Sequence, residues 1–131
     1  MPQYDILAMG NAIVDVISSE TPDFLSSRGI PHGSMRLIDA AEADALYGAM
    51  GPGREISGGS AANSVGGAAA LGAKTAFVGR VAADQLGQVF THDIRAAGVA
   101  FDTAAATGGR PTGRCLIVVT PDGERTMNTY L

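Results

Sequence analysis

Residues Ile56–Gly87 read ISGGSAANSVGGAAALGAKTAFVGRVAADQLG. Gly58 and Gly59 open a run of small residues that continues to Leu71. Such a run suits a helix packed closely on a sheet, and Gly72 falls where a helix ends in the left-handed conformation. The internal pair Gly66-Gly67 costs about 1 kcal/mol per glycine against alanine. A close helix–sheet or helix–ligand approach would justify that cost. Thr75–Val81 (TAFVGRV) then reads as a strand and Ala83–Ala97 as a second helix. Leu86, Val89, Phe90, Ile94 and Ala97 share one face of this helix at a spacing of three or four, and Gly98 closes it. Asp84 stands where an N-cap is needed.

Working outward, Tyr4–Gly10 (YDILAMG) is a short apolar run that suits a buried strand. Ile13, Val14 and Val16 extend it, with Asp15 among them. An acid inside a β-branched run is a local conflict of the kind that marks sites. Asp23–Arg28 makes a helical turn ended by Gly29, and Ser34–Ile38 another strand. Asp39, with Glu42 three residues on, caps a helix Ala40–Met50 that Gly51-Pro52-Gly53 stops. Val99–Thr103 is a short strand. Arg114–Thr120 and Arg125–Leu131 flank Pro121-Asp122-Gly123-Glu124, a hairpin signal. Alternation of strands and helices predicts a parallel sheet with helices on its faces. The hairpin and the segment Phe24–Ile38 lie outside that alternation and form a small second sheet, a flap. There is no internal repeat and no long linker.

The chain has 131 residues, 46% hydrophobic and 17% charged, which suits one domain with a buried core. The net charge is -4 and there is no basic run, which argues against a nucleic-acid surface and against a basic membrane-surface helix. The longest small apolar run, Val65–Ala73, is far short of the ~20 residues a membrane-spanning helix needs. No basic segment precedes an apolar one at the N-terminus, so a cytoplasmic location is expected. Cys115 is the only cysteine, which excludes an internal disulfide and a cysteine-cluster metal site. His32 and His92 are isolated and make no zinc site, so no metal ligands are expected. The sequence stops at Leu131, at an apolar strand edge that would pair with other chains. The expectation is therefore a piece of a longer protein that self-associates through this edge or the flap.

Two patterns carry chemistry. Gly58-Gly59-x-x-x-Asn63 opens a helix after a strand, where glycines admit a ligand to the backbone and free N–H groups are presented. It has neither the Gly-Lys-Ser/Thr ending of a phosphate loop nor the dinucleotide pattern G-x-G-x-x-G. The same spacing serves equally for a turn into a tightly packed helix. Gly10-Asn11-x-x-x-Asp15 places an amide and a carboxylate beyond a strand's carboxyl end, where open α/β sheets bind ligands. A carboxylate there accepts from vicinal hydroxyls, and asparagine both donates and accepts. Asp15 paired with an arginine, or capping a turn, is the alternative. Arg80 reads as solvated, Cys115 as a small buried apolar group, His92 as a surface residue, and His32 as a loop residue with no partner nearby in sequence. No Ser/His/Asp or Cys/His nucleophilic set is present.

GNAIVD from Gly10, SGGSAANSVGGAAALG from Ser57, FVGRVAADQLG from Phe77 and TGRCLIVVTPDGERTMNTYL from Thr112 together resemble the N-terminal portion of a ribokinase-like (PfkB) carbohydrate kinase. GNAIVD and GGSAANS look most like the adenosine-kinase branch. The resemblance implies an α/β fold: a ribokinase-like parallel sheet flanked by helices, with a small β lid. Residues 1–131 would be its N-terminal part, with lid strands from about 13–38 and 112–131. It also implies an ATP- and Mg²⁺-dependent phosphotransferase acting on an alcohol of a sugar or nucleoside. Asp15 and Asn11 would hold sugar hydroxyls. Gly58, Gly59 and Asn63 would meet the sugar from the helix start, and Ile13 and Met127 would form apolar walls. Arg125 would be a phosphate contact. The family's G-A-G-D motif, with its catalytic aspartate, is missing from this sequence. The resemblance therefore implies an acceptor-binding half that is inactive alone, with most of the ATP and Mg²⁺ site elsewhere. A non-catalytic sugar- or nucleoside-binding module is the alternative.

Overall fold

A computed structural model describes residues Met1–Leu131. In chain order the elements are β1 (Ile6–Met9), β2 (Ile13–Ser19), α1 (Pro22–Ser26), β3 (Met35–Leu37), α2 (Ala40–Ala49), β4 (Gly53–Gly58), α3 (Ser60–Ala70), β5 (Thr75–Val78), α4 (Gln85–Ala96), β6 (Val99–Ala100), β7 (Gly113–Val119) and β8 (Arg125–Tyr130). They fall into two compact units, Met1–Val14 with Ile56–Gly113, and Asp15–Glu55 with Arg114–Leu131. The expected α/β fold is present, with one parallel and one mixed sheet, each accompanied by helices.

The first unit holds a parallel sheet of order β1-β5-β6, with Ile6 beside Thr75 and Thr75 beside Val99. Parallel strands need a crossover, and α4 supplies the one from β5 to β6. Helix α3 packs on all three strands, burying Ala62 and Val65. The rings of Phe77, Phe90 and Phe101 form the core, with centroids 5.4 to 6.0 Å apart. Offset and edge-on ring contacts at that range are favourable beyond their buried area.

Helix α4 buries Leu86, Phe90 and Ile94 as its spacing predicts, and Gly87 with them. Val89 is only half-buried and Ala97 is exposed, so the buried stripe is turned toward Gly87. A Cβ on Gly87 would lie 2.1 Å from the Ala82 carbonyl oxygen, so the loop closes over the helix start only because that residue has no side chain. Strand β5 ends at Val78, three residues earlier than expected. A Cβ on Gly79 would stand 2.5 Å from the Phe77 ring and 2.8 Å from the Gly10 carbonyl. Gly66 and Gly67 differ from the expectation: a Cβ on either meets nothing within 4 Å. Their cost is not offset by a close approach to the sheet.

The second unit holds a mixed sheet of order β3-β8-β7-β2-β4. The hairpin β7–β8 is antiparallel from Arg114 beside Tyr130 to Val119 beside Arg125, and β3 runs parallel to β8. Leu116, Val118, Thr126 and Asn128 are buried on one face, where α2 packs on β8 and Leu25, Ala43 and Leu46 lie in the core. Asp39 caps α2, accepting from the Glu42 amide at 2.8 Å. Buried Arg114 donates to Asp44 on the same helix. No helix is long and apolar enough to cross a membrane.

These packing differences give opposite outcomes for two glycine-to-alanine changes. Gly66→Ala gains helix propensity in open space and should raise the unfolding free energy by about 0.5–1 kcal/mol. Gly87→Ala must push the Ala82 carbonyl aside and should lower it by about 1–3 kcal/mol. Urea unfolding of both variants reads the signs directly. Equal effects would mean that the two sites are equally crowded.

Candidate functional site

Asn11, Ile13, Gly58, Gly59 and Asn63 fall in the first unit, and Asp15, Arg125 and Met127 in the second. Within the first unit, β1 ends at Met9 and Gly10 is the next residue, its N–H donating to the Val78 carbonyl at 3.2 Å. A Cβ on Gly10 would meet Ala61 of α3 at 3.0 Å, so the turn after β1 lies against the start of that helix. Gly59 is the residue before α3 and has φ +99, a conformation that side chains other than glycine's rarely adopt. A Cβ there would stand 2.9 Å from the Asn11 carbonyl oxygen. Both constraints require glycine at 59, and they bring the Asn11 backbone to the mouth of α3. No side chain caps α3. Its first-turn amides are therefore donors for a hydroxyl or an anion. Asn63 starts the helical ladder, its N–H donating to the Gly59 carbonyl at 2.9 Å, and its side chain is exposed, as is that of Asn11.

In the second unit Asp15 lies on β2, its neighbours Val14 and Val16 buried and Asp15 itself half-buried, as period-two alternation requires. Burial raises the Asp15 carboxyl above its ordinary value of 3.8, and the smaller pull of Arg125 acts in the opposite direction. Burial likewise raises the Cys115 thiol. Thr129 donates to its sulfur at 3.3 Å, and the negative charge of Asp15 raises it further. These interactions put Asp15, Cys115, Thr129 and Arg125 on one face of the sheet. Register then adds Ile117 and Met127 to that face, and Met35 and Leu37 from β3. Arg36 confirms the alternation, since its Nε donates across the opposite face to Asn128 at 2.9 Å.

Met35 and Leu37 were not singled out by sequence. They are 78% and 79% exposed, which for large apolar side chains on a sheet face identifies an unfilled apolar strip. Their three-residue strand showed no alternation long enough to tell its faces apart.

The other candidates are accounted for. His32 has partners that sequence proximity hid: Asp122 at 3.0 Å and Thr120 at 3.1 Å. His92 is a surface residue beside Asp93, and Cys115 is buried. Arg80 donates to the Gly108 carbonyl at 3.1 Å. Asp84 is the N-cap of α4, accepting from the Gly87 amide at 2.8 Å. No group of three or more His, Cys, Asp or Glu side chains is placed to hold a metal ion.

The sequence profile described as pfkB family carbohydrate kinase matches residues 34–131. Among solved structures the chain is similar to an adenosine kinase from Sinorhizobium meliloti, with 55% identity and a TM-score of 0.87, over 99% of this chain and 40% of that one. It is similar to a probable sugar kinase protein from Rhizobium etli CFN 42, with 54% identity and a TM-score of 0.87, over 100% of this chain and 40% of that one. An Anopheles gambiae adenosine kinase shares the fold at 21% identity and a TM-score of 0.80, over 95% of this chain and 40% of that one. The chain thus spans about 40% of the length of these solved relatives. No curated protein sequence matches it.

The raised carboxyl has a sign that can be measured. Just above pH 3.8 the folded chain binds more protons at Asp15 than the unfolded chain does, so ionising this group costs stability as pH rises through its folded pKa. Asp15→Asn removes that cost. The variant should have the higher urea midpoint at neutral pH, and the gap should close as pH falls below 3.8. A variant less stable than the native chain at neutral pH would instead make Asp15 a structural ion-pair partner of Arg125.

Proposed function

Because the chain belongs to the pfkB family of carbohydrate kinases, we propose that it is the acceptor-binding portion of an ATP-dependent kinase whose acceptor is a nucleoside, with adenosine the first candidate. The observation that carries this reading is the apolar strip of exposed Met35 and Leu37 with half-buried Met127 beside Met35, on the face that also bears Asp15. A free sugar displays hydroxyls on every side and gains little from three apolar side chains. A nucleoside has both a flat apolar base and a pair of vicinal hydroxyls. Burial of one such side chain contributes about 1.5–3 kcal/mol, so the strip discriminates between the two. The similarity to an adenosine kinase at 55% identity supports the same choice.

In this reading Asp15 accepts hydrogen bonds from the ribose hydroxyls, and Asn11 adds a donor and an acceptor. Gly58 and Gly59 leave the backbone bare at the start of α3, so the first-turn amides and Asn63 meet the sugar. Ile13 lies two residues before Asp15 on β2 and, with Met127, walls the acceptor. Arg125 offers a positive charge to a phosphate. Kinases of this family use ATP and Mg²⁺, which supply the phosphoryl group and neutralise its charge. The residues of this chain do not fit that pair: no acidic cluster holds a metal, and no Gly-Lys-Ser/Thr loop is present. The chain's part is therefore to bind and orient the acceptor, not to transfer phosphate, and a cytoplasmic location belongs to the same reading. Strand β8, expected to be an unpaired edge, is instead paired on both sides, with β3 and β7; self-association of the chain is proposed through β1, which is paired on one side only.

Calorimetric titration of the 131-residue chain tests the reading. Adenosine should bind at least tenfold more tightly than ribose, and ATP with Mg²⁺ should give no phosphorylated product. Asp15→Ala should weaken adenosine about a hundredfold or more, since two charge-assisted hydrogen bonds are lost at about 1.5–3 kcal/mol each. Equal affinity for ribose and adenosine would remove the apolar strip from the site. Unchanged adenosine affinity in Asp15→Ala would remove Asp15.

A further inference from the structure

The carboxylate of Asp84 does more than cap a helix. An N-cap needs one acceptor for one amide of the first turn, and Oδ1 provides it for Gly87 at 2.8 Å. The same carboxylate also accepts twice from Thr112, at Oδ2 from the Thr112 N–H at 3.0 Å and at Oδ1 from the Thr112 hydroxyl at 2.6 Å. The Thr112 hydroxyl in turn accepts from the Ala82 N–H at 2.9 Å. Thr112 is fully buried. Two segments distant in sequence are thus fastened at one point: the stretch from Ala82 to Gly87 that leads into α4, and the residue immediately before β7. Gly87 makes the closure possible, since a Cβ there would crowd Asp84 Oδ1 and the Thr112 hydroxyl, both at 3.1 Å.

Thr112 matters because it stands at the head of a central strand. Strand β7 begins at the next residue and lies between β8 and β2. Cys115, three residues beyond Thr112, pairs with Thr129 of β8. Both strands that bear the proposed acceptor contacts of the second unit, Asp15 on β2 and Arg125 and Met127 on β8, are hydrogen-bonded to β7.

We propose that Asp84 is a positioning residue for acceptor binding, fixing Thr112 and through it the start of β7, against which the strands of Asp15 and Met127 are aligned. The proposal rests on the acceptor-binding reading above for its functional half. Its structural half stands on the hydrogen bonds alone. A carboxylate with both oxygens engaged by buried or half-buried donors holds its partners more firmly than neutral hydrogen bonds do. The start of β7 is therefore a fixed point rather than a fraying strand end.

Two variants cut the anchor from opposite ends and leave the cap in place. Asp84→Asn keeps an oxygen for the Gly87 amide, because asparagine caps helices as well as aspartate does, but presents an NH₂ group where the Thr112 N–H needs an acceptor. Thr112→Val removes the hydroxyl at nearly constant volume, and Thr112→Ser restores it. Hydrogen exchange on the 131-residue chain should show the amides of Gly113–Leu116 exchanging at least tenfold faster in Asp84→Asn and Thr112→Val. The amides of Gln85–Ala96 should stay within twofold of the native chain, and Thr112→Ser should behave as native. Adenosine titration of the same proteins should show about tenfold weaker binding in the first two variants and native binding in Thr112→Ser. Unchanged exchange at Gly113–Leu116 would overturn the anchor, as would equal loss of protection in α4. A loosened β7 with unchanged adenosine affinity would overturn the positioning role. Failure of the native chain to bind adenosine would refute the acceptor reading and with it the functional half, while the exchange result would still decide the anchor.

Discussion

The antiparallel register between β7 and β8 is the constraint on which the second sheet depends. Five successive residues of β7, Arg114 to Val118, are buried, so the strand is covered on both faces. Side chains alternate with period two, and a slip of one residue would exchange the faces of every residue on β8. Asn128, fully buried and bonded to Arg36 and to the Leu116 carbonyl, would then stand where Met127 stands. Arg125 and Thr129 would leave the face that carries Asp15. The buried polar set on the helix side therefore fixes, residue by residue, what the other face presents.

That face holds a conflict between stability and use. Asp15 is half-buried among apolar and weakly polar groups, and its carboxyl is raised because burial outweighs the attraction of Arg125. A fold selected for stability alone would place a neutral side chain there. In the proposed role the same partial desolvation is an advantage, because hydrogen bonds to a carboxylate strengthen as water is excluded. The exposed Met35 and Leu37 belong to the same compromise: apolar area left open on the folded chain is available to a ligand. In the first unit the corresponding constraint is in the backbone, at Gly59, where a positive φ and the nearby Asn11 carbonyl leave no room for a side chain.

Much of this was legible in the residues. The hairpin around Pro121–Glu124, the caps at Asp39 and Asp84, and the glycine at 72 with φ +98 came from local chemistry, whereas the break between β1 and β2, which puts them in different sheets, and the strand β4 did not. So did the pfkB resemblance, because its motifs are runs of small residues and turns that the fold needs in place. Three further features were not legible. The exposure of Met35 and Leu37 depends on which face of β3 meets the helices, which is decided by Arg36 finding Asn128 far along the chain. The partners of His32 come from a hairpin about ninety residues away in sequence. The bonds between Asp84 and Thr112 join segments whose sequences carry only a generic cap and a Thr-Gly before a strand. The Gly66-Gly67 pair misled in the other direction, since a rule about close packing does not hold where nothing packs.

The central claim is that an acceptor with an apolar base lies on the face of Met35 and Met127. The chain has five methionines, at 1, 9, 35, 50 and 127, so methyl-labelled methionine gives five separate reporters. Titration with adenosine, monitored through the methyl resonances, should shift Met35 and Met127 together and leave Met9 and Met50 unmoved. Shifts at Met9 or Met50 with Met35 and Met127 unchanged would place the ligand elsewhere and contradict the account.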